Sequence, residues 1–104
     1  MMQNRRKNLI KFCNNLECDT LVAFEPENLF YITGFWGEAI GILDKNGATI
    51  IAPELEVGRA KEESVKCKVV KSERGKGSIS TLINMIKGRK ICTDTNNYDV
   101  IQSL

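Results

Sequence analysis

The chain has 104 residues, with 15 lysines and arginines against 13 aspartates and glutamates, and it contains no histidine. This length predicts a single domain, and contents of 42% hydrophobic and 27% charged residues are typical of a globular protein rather than a disordered or fibrous one. The missing imidazole excludes a Ser-His-Asp triad, a Cys-His dyad and any histidine-containing metal site from these residues, and a formal charge of +2 indicates no general affinity for nucleic acid or acidic membranes.

The first third of the sequence predicts two helices separated by a buried strand. Apolar residues recur at helical spacing over residues 9–16, while basic residues, Arg6 among them, fall on the opposite face. Residues 20–24 form a short apolar run that is typical of a buried strand. A second helix over residues 26–33 begins with proline, which suits the first turn of a helix, and Gly34 follows as a left-handed cap.

A β-hairpin is predicted next. Two apolar runs, residues 39–43 and 48–52, flank a polar turn. We expect Asn46 and Gly47 to supply the positive φ angles that a tight reversal needs.

The second half of the sequence alternates helices and strands. The predicted elements are a helix over residues 53–63, a strand over 67–70, a helix capped by Ser78 or Ser80 that runs to residue 86, a strand over 90–94 and the start of a helix over 98–104. Alternation with one internal hairpin predicts an α/β domain in three layers, with a mixed sheet of about five strands and helices on both faces.

Four cysteines stand without any paired C-x-x-C spacing, at Cys13, Cys18, Cys67 and Cys92. We interpret them as small buried apolar side chains in a reducing cytosol, in preference to a metal site or a disulfide. The N-terminus has no apolar segment of the signal-peptide kind, and no apolar run is long enough to cross a bilayer. A cytoplasmic protein is therefore expected.

Two groups of charged residues raise the questions of a nuclease site and of nucleic-acid binding. Acidic residues fall near predicted strand ends, where α/β sheets place active sites, so a magnesium-dependent nuclease is conceivable; they are Asp19, Glu25, Glu38 and Asp94. Nothing in their spacing makes them converge, and capping and solvation are favoured. The basic residues of segment 66–76 have no aromatic neighbours for stacking on bases, so a charged edge strand is favoured there.

The most unusual stretch is residues 31–37, where three aromatic residues and two glycines lie between a helix and a strand. We expect the rings of Tyr31 and Phe35 to belong to the core. For Trp36, burial in the core and exposure to a partner are equally favoured, because tryptophan is enriched among interface anchors.

Two of these segments carry a family resemblance. Residues 26–35, PENLFYITGF, resemble the PENIxYLTGF signature of the N-terminal domain in creatinase/prolidase metallopeptidases. Residues 52–64, APELEVGRAKEES, are similar to the VPELExxxAKEES segment of archaeal-type Xaa-Pro dipeptidases, and the hairpin between them lies where that domain has its own. The resemblance covers nearly the whole chain in the right order.

The resemblance implies that residues 1–104 are one ribonuclease-H-like domain and a fragment of a two-domain enzyme. In that family the catalytic domain follows as a pita-bread fold, where two Asp, one His and two Glu hold two divalent metal ions (Mn, Co or Zn) and a metal-bridging water attacks the carbonyl before proline. None of those ligands transfers to this chain, so no catalytic and no metal-binding residue is expected in it.

The resemblance also implies a role for the loop after Gly34. In the family this domain supports dimerisation, and its loops border an active site, commonly that of the partner subunit. Phe35, Trp36 and Glu38 are the expected wall residues. The leading hypothesis is thus the non-catalytic, substrate-gating N-terminal domain of an Xaa-Pro dipeptidase. Its expected partners are its own C-terminal catalytic domain, a second copy and a proline-containing peptide, without nucleic acid or membrane.

An alternative from another class is a stand-alone α/β binding module that holds a partner protein with the Phe35–Trp36 loop. The N-terminal domain does not by itself separate a dipeptidase from an aminopeptidase or a creatinase, although the PELE segment favours a dipeptidase.

Overall fold

The computed structural model describes residues 2–94, which form four helices and five strands. In chain order the elements are α1 (Met2–Asn15), β1 (Thr20–Ala23), α2 (Pro26–Thr33), β2 (Ile40–Asp44), β3 (Gly47–Pro53), α3 (Glu54–Glu63), β4 (Cys67–Ser72), α4 (Lys76–Ile86) and β5 (Ile91–Thr93). The helix expected over 98–104 lies outside the described residues. No helix within residues 2–94 has the length and apolar character needed to cross a membrane.

The strands form one mixed sheet in the order β4-β3-β2-β1-β5. Strand β2 is antiparallel to both of its neighbours, whereas β1 and β5, and likewise β3 and β4, are parallel. The predicted five-stranded mixed sheet is confirmed. The lysine-rich strand β4 forms one edge, which agrees with the expected use of those charges against edge pairing.

Alternate residues of the central strands pack into two separate cores, one on each face of the sheet. On one face, α4 packs against strands β1 to β3 through a cluster made of Val22, Ile40, Ile42, Ile51, Leu82 and Ile86. On the other face, α1, α2 and α3 cover the sheet through two clusters that include Leu29, Ile32, Phe35, Leu43, Ile50 and Ala60. Helices therefore lie on both faces, as the three-layer prediction requires.

Helix α2 has the predicted bounds. Gly34 adopts φ 81° and donates its backbone N–H to the carbonyl of Phe30, which is the left-handed cap expected from the sequence. At the start of the helix, the N-cap residue Glu25 makes no capping hydrogen bond with its own side chain.

Two turn predictions need correction. In the hairpin only Gly47 has a positive φ, 131°, while Asn46 does not; instead, the Asn46 N–H donates to the carboxylate of Asp44 at 2.8 Å, which closes an Asx-type turn. At α4 the N-cap is Gly75 rather than Ser78 or Ser80, since the Ser78 hydroxyl donates back to the Gly75 carbonyl.

The prediction for α1 is wrong at Arg6. Its side chain is 6% exposed, whereas Phe12 and Leu16, which belong to the predicted apolar face, are more than half exposed. The guanidinium of Arg6 faces inward because it donates to three backbone carbonyls from two other segments, and these bonds outweigh the cost of removing it from water.

Candidate functional site

The loop that links α2 to β2, residues 34–39, lies on the carboxyl edge of the sheet. Strands β1, β3, β4 and β5 all run in one direction, and the start of β2 pairs with the ends of β1 and β3. The loop thus shares an edge with the start of α3 and with the segment that leads into α4. In α/β sheets this is the edge where ligands usually bind.

Phe35 anchors this loop to the core of the domain. Its ring has no exposed surface and packs in the cluster that contains Leu29, Ile50, Ala52 and Ala60. The prediction that Phe35 belongs to the core is confirmed. Its expected place in a substrate-facing wall is corrected, because a fully buried ring offers no surface to a ligand or partner.

Trp36, in contrast, is 51% exposed and packs edge-on against Phe30, with ring centroids 6.1 Å apart. Phe30 is itself about half exposed, so the two rings form a continuous aromatic surface. Tyr31 was expected in the core but is also half exposed, and the Arg5 guanidinium lies 4.4 Å from its ring centroid. The cation–π contact and its outward position on α2 explain why Tyr31 stays at the surface.

Arg59 of α3 fixes the backbone of the loop. It donates one hydrogen bond to the carbonyl of Trp36 at 2.8 Å, and its other nitrogens pair with Glu56 at 2.7 Å and Glu63 at 3.2 Å. The same guanidinium lies 5.1 Å from the ring centroid of Phe35. The hydrogen bond to Glu63, together with the nearby charge of Glu56, raises the pKa of Arg59.

Gly37 lets the loop pass close to that clamp. A Cβ at this position would lie 2.6 Å from a carboxylate oxygen of Glu56 and 2.6 Å from the Phe35 ring. Any side chain would displace one of them, so the close approach depends on glycine.

Glu38 is exposed and pairs with Arg74 at 3.2 Å. The pair joins the loop to the segment before α4, but both side chains are more than half exposed, which keeps the contribution of such a contact to stability small. Glu38 therefore remains available to a ligand or partner at modest cost.

Within residues 2–94, the acidic residues near the strand ends do not gather in one place. The carboxylate of Asp94 accepts hydrogen bonds from the backbone of Phe24 and Glu25 and from the side chain of Asn28, which confirms the capping interpretation. Asp19 precedes β1 and so lies at the opposite edge of the sheet. In the part of the chain from residue 2 to 94, the one group of three candidate ligands within reach of a single ion consists of cysteine sulfurs.

The cysteine interpretation is partly wrong. Cys18 and Cys92 form a disulfide that joins the segment before β1 to β5, the strand that pairs with β1. Cys13 and Cys67 carry free thiols, and burial raises the pKa of Cys13. Spacing along the chain alone did not indicate the pairing, since the two bonded residues are 74 apart.

The site is suited to recognition. It presents the ring of Trp36 and the carboxylate of Glu38 on a loop whose backbone is held by α3, with the ring of Phe30 beside them on α2. Sequence reasoning located the loop and Trp36 but missed Phe30, Arg59 and Gly37. The i, i+3 and i, i+4 spacing of Glu56, Arg59 and Glu63 indicates an ion-pair network, but not its contact with another element.

Comparison with known proteins agrees with this fold. Residues 5–104 match the family described as Creatinase/Prolidase N-terminal domain. The Xaa-Pro dipeptidase of Pyrococcus furiosus is 37% identical over 75 residues, which cover 70% of this chain and 21% of that protein. The chain thus spans about a fifth of the length of this curated relative.

Solved structures show the same likeness. The prolidase from Pyrococcus furiosus has a TM-score of 0.79 at 28% identity, covering 94% of this chain and 30% of that one. The N-terminal domain of a metallopeptidase from Corynebacterium diphtheriae has a TM-score of 0.84 and covers 99% of this chain and 85% of that one; its 15% identity supports the fold alone.

Proposed function

The chain belongs to the Creatinase/Prolidase N-terminal domain family, and on this premise we propose that it is the non-catalytic N-terminal domain of an Xaa-Pro dipeptidase. Its role is to border the substrate site and to support assembly of a dimer, while a separate catalytic domain hydrolyses the Xaa-Pro bond. We place this enzyme in the cytoplasm.

The exposed aromatic surface of Trp36 and Phe30 is the observation that supports this role. Large rings left half exposed on a fixed loop are typical of interface and ligand anchors, since they bury much area without losing much conformational freedom. A flat ring is also a suitable partner for the compact apolar ring of a proline residue.

The two divalent ions expected of such an enzyme do not fit this chain. It has no histidine, and Asp94 already accepts three hydrogen bonds that cap α2. No step of peptide hydrolysis is therefore assigned to residues of this chain, and metal ligands belong to the catalytic domain under this proposal.

The first experiment measures Xaa-Pro dipeptide hydrolysis by the parent enzyme that carries this chain. Trp36→Ala is expected to lower kcat/KM about tenfold, or roughly 1.4 kcal/mol, mainly through a higher KM. Phe12→Ala is a matched control, since Phe12 is an exposed aromatic residue on α1, away from the loop. Unchanged kinetics in the Trp36 variant would contradict the proposed role of the loop.

A second experiment tests the assignment of catalysis. Residues 1–104 alone are expected to release no proline from Xaa-Pro dipeptides with or without added Mn²⁺, Co²⁺ or Zn²⁺. Hydrolysis by the isolated chain that a chelator abolishes would show that the chain holds its own metal centre, and the proposal would be wrong.

The same surface supports one other candidate function, a stand-alone module that holds a partner protein through Trp36. The two candidates differ in what the Trp36→Ala variant changes. For a stand-alone binding module, the variant lowers the affinity for the partner protein, and there is no parent peptidase whose activity could change.

A further inference from the structure

Three cysteine sulfurs come together at the end of the domain where α1 meets the sheet. The sulfur atoms of Cys13, Cys18 and Cys92 all lie within 4.8 Å of one another. Cys13 belongs to the last turn of α1, Cys18 to the segment before β1, and Cys92 to the middle of β5. Three separate elements therefore contribute one sulfur each.

Backbone contacts hold these elements close together in addition to the disulfide. The N–H of Cys18 donates to the carbonyl of Cys13 at 2.9 Å, and the N–H of Asp19 donates to the carbonyl of Lys90 at 2.8 Å. Parallel pairing of Leu21 with Cys92 fixes β5 beside β1. We expect the three sulfurs to stay close together after the disulfide is reduced.

We propose that the reduced chain binds one soft d10 metal ion through the thiolates of Cys13, Cys18 and Cys92, with Cu⁺ as the preferred ion. Thiolate ligands select soft ions such as Cu⁺ and Zn²⁺. Three sulfurs complete the trigonal shell of Cu⁺, whereas Zn²⁺ almost always takes a fourth ligand. The site does not depend on the function proposed above.

The spacing of the sulfurs suits such an ion. A metal–sulfur bond of about 2.3 Å places three ligand sulfurs about 3.8–4.0 Å apart. Sulfurs that lie within 4.8 Å of one another need to move by less than about 1 Å to reach that distance, apart from the bonded pair, which has to separate. Side-chain rotation about single bonds supplies motions of this size.

The disulfide and the metal exclude each other. A dithiol reductant transfers two electrons and two protons to the Cys18–Cys92 bond, which yields two thiols and the oxidised cyclic disulfide of the reductant. Cu⁺ then displaces one proton from each of the three thiols, so that three protons are released for each ion bound. In the oxidised protein this cluster has only the Cys13 thiol to offer and is expected not to retain the ion.

The surroundings favour a soft ion over competing chemistry. Cys13 is 1% exposed and Cys18 is 6% exposed, whereas Cys92 is partly exposed, so two of the three sulfurs are shielded from water and hard oxygen ligands. Burial raises the pKa of Cys13, so binding of the ion has to displace the proton of this thiol. An apolar cavity of about 320 Å³, lined in part by Leu9, Cys13 and Cys92, offers an entry path.

The test titrates the chain with Cu⁺ under anaerobic conditions, against a chromophoric Cu⁺ chelator. The protein is reduced with the dithiol, which is removed by anaerobic gel filtration before the titration, because dithiols and phosphines both compete for Cu⁺. We expect one ion per reduced chain, a thiolate-to-copper charge-transfer band in the near ultraviolet, and no retention by oxidised protein. Cys13→Ser should weaken the affinity at least tenfold, and Cys13→Ala, which keeps the site apolar, should do the same.

Cys67→Ser is the control, since Cys67 is the other free thiol and lies outside the cluster. Binding that survives in both Cys13 variants, or that disappears in Cys67→Ser, would overturn the proposal. Failure of the reduced chain to take up Cu⁺ would overturn it as well. Recovery of Cys13 in a disulfide in that case would assign the cluster to thiol–disulfide exchange.

Discussion

At the scale of single residues, the buried side chain of Arg6 does the most to hold separate parts of the fold together. It donates to the carbonyl of Ile32 at 2.8 Å, to that of Lys66 at 3.2 Å and to that of Val65, and it also contacts the Cys67 sulfur. These bonds join α1 to the end of α2 and to the segment before β4. A planar guanidinium with five donors serves three carbonyls at once, which an ammonium group does not.

Replacing Arg6 with methionine is therefore expected to destabilise the domain by about 2–4 kcal/mol, because carbonyl groups lose charged donors while remaining buried. The stability of the Arg6→Lys variant should lie between those of the unchanged protein and Arg6→Met, because lysine keeps the charge but not the planar set of five donors. Urea unfolding followed by circular dichroism measures the difference. Lys7→Met is the matched control on the exposed face of the same helix, and equal losses in both variants would contradict the role given to Arg6.

Sequence reasoning failed at Arg6 for a physical reason. Helical periodicity distinguishes an apolar face from a polar one, but the four basic residues of α1 look alike in that pattern. The carbonyls that receive Arg6 come from residues 26 to 60 positions away along the chain. Trp36 shows the same limit: its place on a loop was predicted, while its exposure depends on contacts with Phe30 and Arg59.

At the scale of elements, the start of α2 is capped by a residue from the far end of the chain. The carboxylate of Asp94, just after β5, accepts from the backbone N–H of Phe24 at 2.7 Å, from that of Glu25 at 3.0 Å and from the side chain of Asn28 at 2.8 Å. Helix α2 carries the loop with Trp36 at its other end. Docking of β5 thus helps to position the helix that precedes the candidate site.

We expect Asp94→Ala to lower the free energy of unfolding by about 1–2 kcal/mol, the usual cost of losing a helix cap. Asp94→Asn should cost less, because an amide keeps one acceptor oxygen. Amide hydrogen exchange at Phe24 and Glu25 reads out the capped groups directly. Glu62→Ala on exposed α3 is the control, and if protection at those two amides persisted in Asp94→Ala, the capping assignment would be wrong.

Elements with a strong local signal were predictable, and those fixed by distant contacts were not. Proline at the start and glycine at the end define α2, and two apolar runs around Asn46 define the hairpin. The start of α4 was misplaced because Gly75 adopts φ 64° there, whereas serine is the usual cap. Nothing near Glu25 in the sequence indicates that its helix is capped from β5.

At the scale of the whole molecule, β5 is a strand of three residues that, within residues 2–94, lies at the edge of the sheet and pairs with β1 alone. Three residues of parallel pairing are a weak attachment, and the Cys18–Cys92 disulfide reinforces it. The order of helices and strands was enough to predict the α/β class and the number of strands. It did not predict this bond, which depends on which strands become neighbours.

The disulfide closes a loop with a sequence separation of 74 residues, which makes it the largest single constraint on the unfolded chain. By the chain-entropy relation, closing a loop of that length stabilises the fold by about 4.5 kcal/mol at 25 °C. Reduction, or a Cys92→Ser substitution, should therefore lower the Tm by roughly 20 °C in a domain of this size.

Differential scanning calorimetry with and without reductant tests this expectation. The free energy of unfolding of the double variant Cys18→Ser, Cys92→Ser should lie within a few tenths of a kcal/mol of that of either single variant. Each single substitution already removes the one disulfide, so the second has little left to remove. Cys67→Ser should keep the full response to reductant, since Cys67 is a free thiol. A Tm that does not change on reduction would mean that the edge pairing of β5, with the Asp94 cap, holds this end of the sheet without the covalent bond.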